Sequence, residues 1–252
     1  MKTYQIVSVS MLSAIAVVFQ MIHGVVGIET GFGMTVDIVG VPMMLAFFMF
    51  GLESALYTAA VTALALTLIS PESWLGASMK FAATVPMFIV PAYYIMLEKG
   101  KRGKIIGSIG LGALTILAAF LISIYTNIYA QLAISHKIIL GLLPIASIAL
   151  FAWGLGKVWE KKKPEGDWNA LASWKKAGAL MLFAIAARGA AMVIANYYFA
   201  GPLFFGMSTG EMLKAIPWQL IFGWNAIQGA LEYTAAWIIA YRFKIAEKYG
   251  KW

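Results

Sequence analysis

Long apolar runs separated by short polar breaks dominate the chain. Runs that cross, or nearly cross, the roughly 30 Å hydrocarbon core of a bilayer fall at about 4–28, 36–51, 53–70, 79–98, 104–134, 137–158, 174–199 and 216–243. The pattern predicts about eight transmembrane helices. The second and third runs are short and parted only by "FGLES", which predicts helices buried among the others and not facing thick lipid. The last run departs from the rest. Its stretch "FGWNAIQGALEYTAAW", residues 222–237, carries Asn225, Gln228 and Glu232, which at about 100° per residue share one arc of roughly 60–100° on a helix face. One polar stripe on an apolar helix calls for a partner.

The basic residues give these spans an expected orientation. With the N-terminus inside, 15 of the 19 Lys and Arg residues fall in cytoplasmic segments, as positive-inside topology requires. Lys80, Lys137 and Lys214 remain outside and Arg188 lies within a span. Both termini are expected in the cytoplasm of a multi-pass plasma-membrane protein. The outer loops "GIETGFGMTVD", "SPESWLGAS", "ISHK" and "YYFAGPLFFGMSTGEMLKAIP" then become the segments able to capture something from outside. The basic loop "EKKKPEGDWNALASWKK" reads as an anchor, with Trp168 and Trp174 at the interface. The opening "MKTYQIVSVSMLSAIAVVFQ" lacks a small-x-small cleavage pattern and is expected to be a retained first helix.

Composition agrees with this class: 62% of the 252 residues are hydrophobic and 12% are charged, against about 25% charged in a soluble domain. A net charge of +8 does not imply nucleic acid, because no basic stripe alternates with aromatics. Cys is absent, excluding disulfides and thiolate chemistry, and only His23 and His136 could offer imidazole to a metal. No metal site is expected. No G-x-S-x-G, H-E-x-x-H, Walker A or close acid pair is present, so an enzyme is not expected.

Polar groups inside spans are costly and therefore candidates for function or pairing. Arg188 and Glu232, mid-span in the seventh and eighth helices, are expected to form a structural ion pair. Asn196, in "MVIANYYFAGP", is read as closing the seventh helix at the outer edge. Asn196, Asn225 and Gln228 are candidate ligand contacts, because an amide offers both a donor and an acceptor to a lactam-like edge. Tyr197 and Trp224 are the aromatic neighbours expected to cover ring faces. The plainer alternatives are an aromatic belt and amides gluing helices together. Asp37, after "TGFGMTVD", caps the second helix or binds ligand polar groups. Lys80 and Thr84, at the start of the fourth helix, complete the candidate ligand set, with snorkelling the alternative for Lys80. Ser10 and Ala14 form a small-xxx-small pair in the first helix.

Four stretches resemble the substrate-binding S components of energy-coupling factor (ECF) vitamin transporters, most closely the RibU-like riboflavin binders: "MTVDIVGVPMMLAFFMFG", "GASMKFAATVPMFIVPAYYIMLEKGKR", "GAAMVIANYYFAGPLFFG" and "GWNAIQGALEYTAAWIIAYRF". The resemblance implies one transmembrane domain over 1–252, an all-α integral membrane protein with an S-component-like bundle of six core helices in 1–98 and 174–245. The remaining 104–158 reads as an inserted two-helix hairpin. It implies a high-affinity vitamin-binding subunit without catalysis of its own or a bound cofactor, taking riboflavin or a related flavin as transported ligand. Its implied partners are the EcfT transmembrane subunit and two ECF ATPase subunits, and the Ser10/Ala14 face is similar to the motif set against EcfT. Asn196 and Asn225 match flavin-facing positions of the family. Gln228 stands where the family usually has Lys, and Ala59, Thr62 and Ala63 stand where charged and amide groups are common. Another heteroaromatic vitamin, or a self-sufficient secondary transporter, is the alternative.

Overall fold

A computed structural model describes residues 3–22, 25, 27–31, 33–69, 73–97, 142, 149, 153 and 168–249. The expected hairpin at 104–158 falls outside them apart from three isolated positions, as do His23, His136 and the basic segments 99–104 and 157–163. Of the described residues 87% are helical.

Helix α1 spans Thr3–Met21 and buries Val9, Leu12, Ser13, Ala16 and Gln20, a three-and-four spacing that defines one face. Ser10 and Ala14 lie on the other, exposed side, and the Ser10 hydroxyl donates to the Ile6 carbonyl at 3.0 Å. A small antiparallel hairpin follows, β1 (Ile28–Glu29) paired with β2 (Thr35–Val36). It departs from the all-helical expectation. Gly33, at φ 81°, supplies the left-handed backbone that its tight turn needs. Because this strand and the turn after it occupy 35–39, helix α2 starts at Gly40, later than the hydropathy suggests, and ends at Phe50.

Every α2 residue except Leu45 is buried. At about 1.5 Å per residue its 11 residues span only about 16 Å, half a bilayer core. It is enclosed by α1, α7 (Trp218–Trp237) and α3 (Leu52–Ile69). The turn into α3 is Gly51 alone, with φ 87°. Helix α3 turns a face of Ser54, Ala55, Thr58, Ala59 and Thr62 inward, small residues that let neighbours approach closely. The Ser13 hydroxyl of α1 crosses to the Thr58 carbonyl at 3.4 Å.

Helix α4 covers Ser73–Leu97, starting six residues earlier than its apolar run. Helix α5, Trp174–Ala195, follows a 3₁₀ turn at Trp168–Ala172 and runs on without a break as a π-helix, Asn196–Phe205. Asn196 therefore does not end the helix; its backbone is helical at φ −68°, ψ −44°. The short α6 (Thr209–Ala215) starts with a capping box made by Ser208 and Glu211. Helix α7 is prolonged by a π turn at Ile238–Arg242, and α8 is Ile245–Tyr249.

Four segments among the described residues, Thr3–Met21, Leu52–Ile69, Trp74–Met96 and Trp174–Phe205, are long and apolar enough to cross a membrane. Outward residues such as Met11, Leu64, Leu68 and Leu182 are more than half exposed. Such a surface is a liability in water and ordinary in lipid, so the chain is a membrane protein in character. The core gathers Met43, Met44, Phe47 and Phe48 of α2, Met87 and Phe88 of α4, and Tyr233 of α7. Phe48 meets Tyr233 edge-on at 5.1 Å between centroids.

Candidate functional site

The polar stripe of α7 faces the N-terminus of α2 and the interior faces of α4 and α5. Glu232 is the hub. Its Oε2 accepts from Arg188 Nη1 of α5 at 2.6 Å, and both side chains are only 1% exposed. Its Oε1 accepts from the Gly40 backbone N–H at 3.2 Å and from Gln228 Nε2 at 3.0 Å. Glu232 thus caps a helix 192 residues away in sequence, placing a carboxylate at the positive end of the α2 dipole. Gly40 has no Cβ for a reason: one built there would fall on the Glu232 carboxylate.

A second pair lies toward the hairpin. Asp37 accepts from the Val39 N–H at 3.0 Å, which turns the chain into α2. Its other oxygen is ion-paired with Lys80 of α4. Gln228 Nε2 also donates to Asp37 Oδ1 at 3.3 Å, joining the pairs into the chain Lys80, Asp37, Gln228, Glu232, Arg188. Two carboxylates and two cations balance within it. The hydrogen-bonded partners repay part of the desolvation that buried charges suffer.

Above this network is a cavity of about 300 Å³, at the small end of the range of roughly 300–1,000 Å³ for ligand sites. The candidate polar residues Asn196, Asn225, Gln228, Asp37, Lys80 and Thr84 line it, as do Arg188 and Glu232. Tyr197 and Trp224 do not. Tyr197 is fully buried in a neighbouring cluster with Met212 and Ile221, its hydroxyl donating to the Ile216 carbonyl at 2.7 Å. Trp224 sits about 100° around α7 from Asn225 and so leaves the stripe. The apolar walls come instead from Met34, Met79, Met192, Phe204 and Phe205. Phe204 and Phe205 stand where the π-helix, with its i→i+5 turns, re-phases side chains relative to an α-helix. The sequence reading missed them, and also Gln20, whose only signal is a second polar position, after Ser13, on the inner face of α1.

Both asparagines use the same local bond. Asn196 Nδ2 donates to the Met192 carbonyl and Asn225 Nδ2 to the Ile221 carbonyl, each at 2.8 Å. Asn225 also reaches Met34 Sδ of the hairpin at 3.6 Å. Its Oδ1 is buried and has no hydrogen-bond partner, and the side chain is wholly enclosed. A buried carbonyl-type oxygen left unpaired costs about 1–3 kcal/mol, a penalty that a ligand N–H would remove.

The cavity lies at one end of the bundle, formed by the C-terminal ends of α1 and α5 and the N-terminal ends of α2, α4 and α7. The described basic residues Lys175, Lys176 and Arg242 belong to the other end, where Trp237 Nε1 donates to the Leu171 carbonyl at 2.8 Å and Lys176 lies 5.9 Å from the Tyr94 ring centroid. Among the described residues no group of three or more His, Cys, Asp and Glu side chains is placed to hold a metal.

Protein-family models, curated proteins and solved structures give no match to this chain. Geometry and chemistry of the cavity therefore carry the functional reading.

Proposed function

We propose that this protein is the ligand-capturing subunit of a membrane uptake system, an S component of an ECF-type importer that binds riboflavin or a related flavin. The observation that carries the reading is Asn225, a wholly buried amide with an unpaired oxygen at the wall of a cavity closed by Phe204, Phe205 and three methionines. A planar heteroaromatic ring suits that combination: its faces contact the apolar walls and its polar edge meets the amides. In the proposed topology the basic end faces the cytoplasm, so the cavity opens toward the outside. The protein then hands its ligand inward with EcfT, docked on the exposed Ser10/Ala14 face of α1, and two ATPases.

The test is purification in detergent followed by mass spectrometry of bound small molecules and thermal shift against a vitamin panel. A copurifying flavin, or a melting temperature raised by riboflavin, supports the reading. Absence of both, together with failure to associate with EcfT, overturns it. Uptake that persists without the ATPases and collapses with the proton gradient would instead favour a self-sufficient transporter using the buried charges.

A further inference from the structure

We propose that Arg188 reads the ligand as well as pairing with Glu232: its Nε–H and the Asn225 Oδ1 act as a donor–acceptor couple selecting an uncharged ring edge with N–H beside C=O. This rests on the cavity being a ligand site, as argued above.

Arg188 is 1% exposed and lines the cavity. Its Nη1 is held by Glu232 at 2.6 Å, yet its Nε is buried and makes no hydrogen bond. An arginine used only as a counter-ion has no need to leave a buried donor open, and such open donors are rare enough in native interiors to require a cause. Asn225 Oδ1 is the complementary acceptor, likewise buried and open. The arm of Arg188 is laid along the same stripe of α7: a Cβ built on Gly229 would stand 3.1 Å from Arg188 Cδ and 3.2 Å from Met87 Sδ. Gly229 is one turn beyond Asn225, about 6 Å along the axis at 1.5 Å per residue, so Arg188 packs against the same stretch of α7 that carries Asn225, and both residues line the cavity.

Charge narrows the ligand further. Asp37 and Glu232 are each paired with a cation, Lys80 and Arg188, leaving no unbalanced charge among these groups. A carboxylate or phosphate brought into the cavity would face both acids without a free cation to neutralise it, and a cationic ring would face Arg188 and Lys80. The remaining class is a neutral heterocycle with a lactam or imide edge, its N–H on Asn225 and its carbonyl on Arg188.

The experiment is isothermal titration of the full-length detergent-solubilised protein with three probes: lumichrome, which carries such an edge on a bare ring; lumichrome methylated at both of its ring N–H nitrogens; and quinoxaline-2-carboxylate, a heteroaromatic anion. For the natural sequence, methylation is expected to weaken binding by about tenfold or more, because the buried acceptor loses its donor, and the carboxylate is expected to bind more weakly than lumichrome. Arg188→Lys keeps a cation for Glu232 and removes Nε–H; it should weaken lumichrome by about tenfold while leaving the methylated probe within about twofold. Equal loss for both probes would mean that Arg188 only holds the bundle together, which overturns the proposal. Methylated lumichrome binding as well as lumichrome, or the carboxylate binding more tightly, overturns it while leaving the cavity a binding site. Failure of every heterocycle to bind removes both readings. If Arg188→Lys does not fold, the probe comparison on the natural sequence decides.

Discussion

Two ion pairs sit at one site and differ in depth. Arg188 and Glu232 are each 1% exposed, whereas the Lys80 side chain is 24% exposed beside an Asp37 that is 3% exposed. Gln228 touches both carboxylates, so the contrast is not of chemistry but of water access. In the deep pair, loss of one partner strands a charge with no solvent to receive it. In the outer pair, water reaching the Lys80 end replaces part of what is lost. The deep pair therefore contributes more to holding the helices together than the outer pair does.

The largest expected effect comes from breaking the deep pair. Glu232→Gln should destabilise the protein by about 3–5 kcal/mol, because Arg188 loses its counter-ion and the Gly40 N–H its carboxylate cap; equilibrium unfolding in mild detergent measures it. Replacing both partners by apolar residues, Arg188→Met with Glu232→Leu, should cost less than Glu232→Gln alone. A double variant as unstable as the sum of its two single variants would show that the pair is not a unit.

Next in size is a change in binding and not in stability. Asn225→Ala should weaken the ligand by about 1–3 kcal/mol, read by titration with riboflavin. An unchanged affinity takes Asn225 out of the site. The outer pair should matter less than the deep one. Lys80→Met is expected to cost about 1 kcal/mol or less of stability, since Asp37 keeps the Val39 N–H and the Gln228 amide. A loss as large as that of Glu232→Gln would erase the distinction between the pairs.

The smallest effect is at the exposed margin. Glu211 is held below its ordinary value of 4.5 by the hydrogen bond from the Ser208 hydroxyl, then by the one from the Ser208 N–H, against slight desolvation. A lowered folded value means that its contribution is complete above 4.5 and is lost as pH falls through the folded value. Protection of the α6 amides, measured against the unstructured chain at the same pH, should fall at about pH 3 relative to neutral pH, and Ser208→Ala should flatten that dependence.

What the sequence revealed follows from how local each feature is. The α7 stripe was legible because 3.6-residue periodicity puts Asn225, Gln228 and Glu232 on one face whatever surrounds them. Arg188 stood out because a charge in an apolar span needs a counter-charge. The Asp37–Lys80 pair was not legible: 43 residues separate them, and the hairpin that aims Asp37 at α4 arises from two-residue strands too short to leave a period-2 pattern. Tyr197 looked like a ligand cover and turned inward, because α5 continues past Asn196 as a π-helix. The same continuation brings Phe204 and Phe205, which read as loop residues, to the cavity wall. The α2 boundary was missed because Val36, Ile38 and Val39 are as apolar as a helix but belong to a strand and a turn.

The most direct test of the account is native mass spectrometry of the purified protein incubated with riboflavin, compared with Asn225→Ala under the same conditions. The cavity reading predicts one bound ligand per chain in the natural sequence and a clearly reduced bound fraction in the variant. No ligand bound to either, or equal occupancy in both, would contradict it.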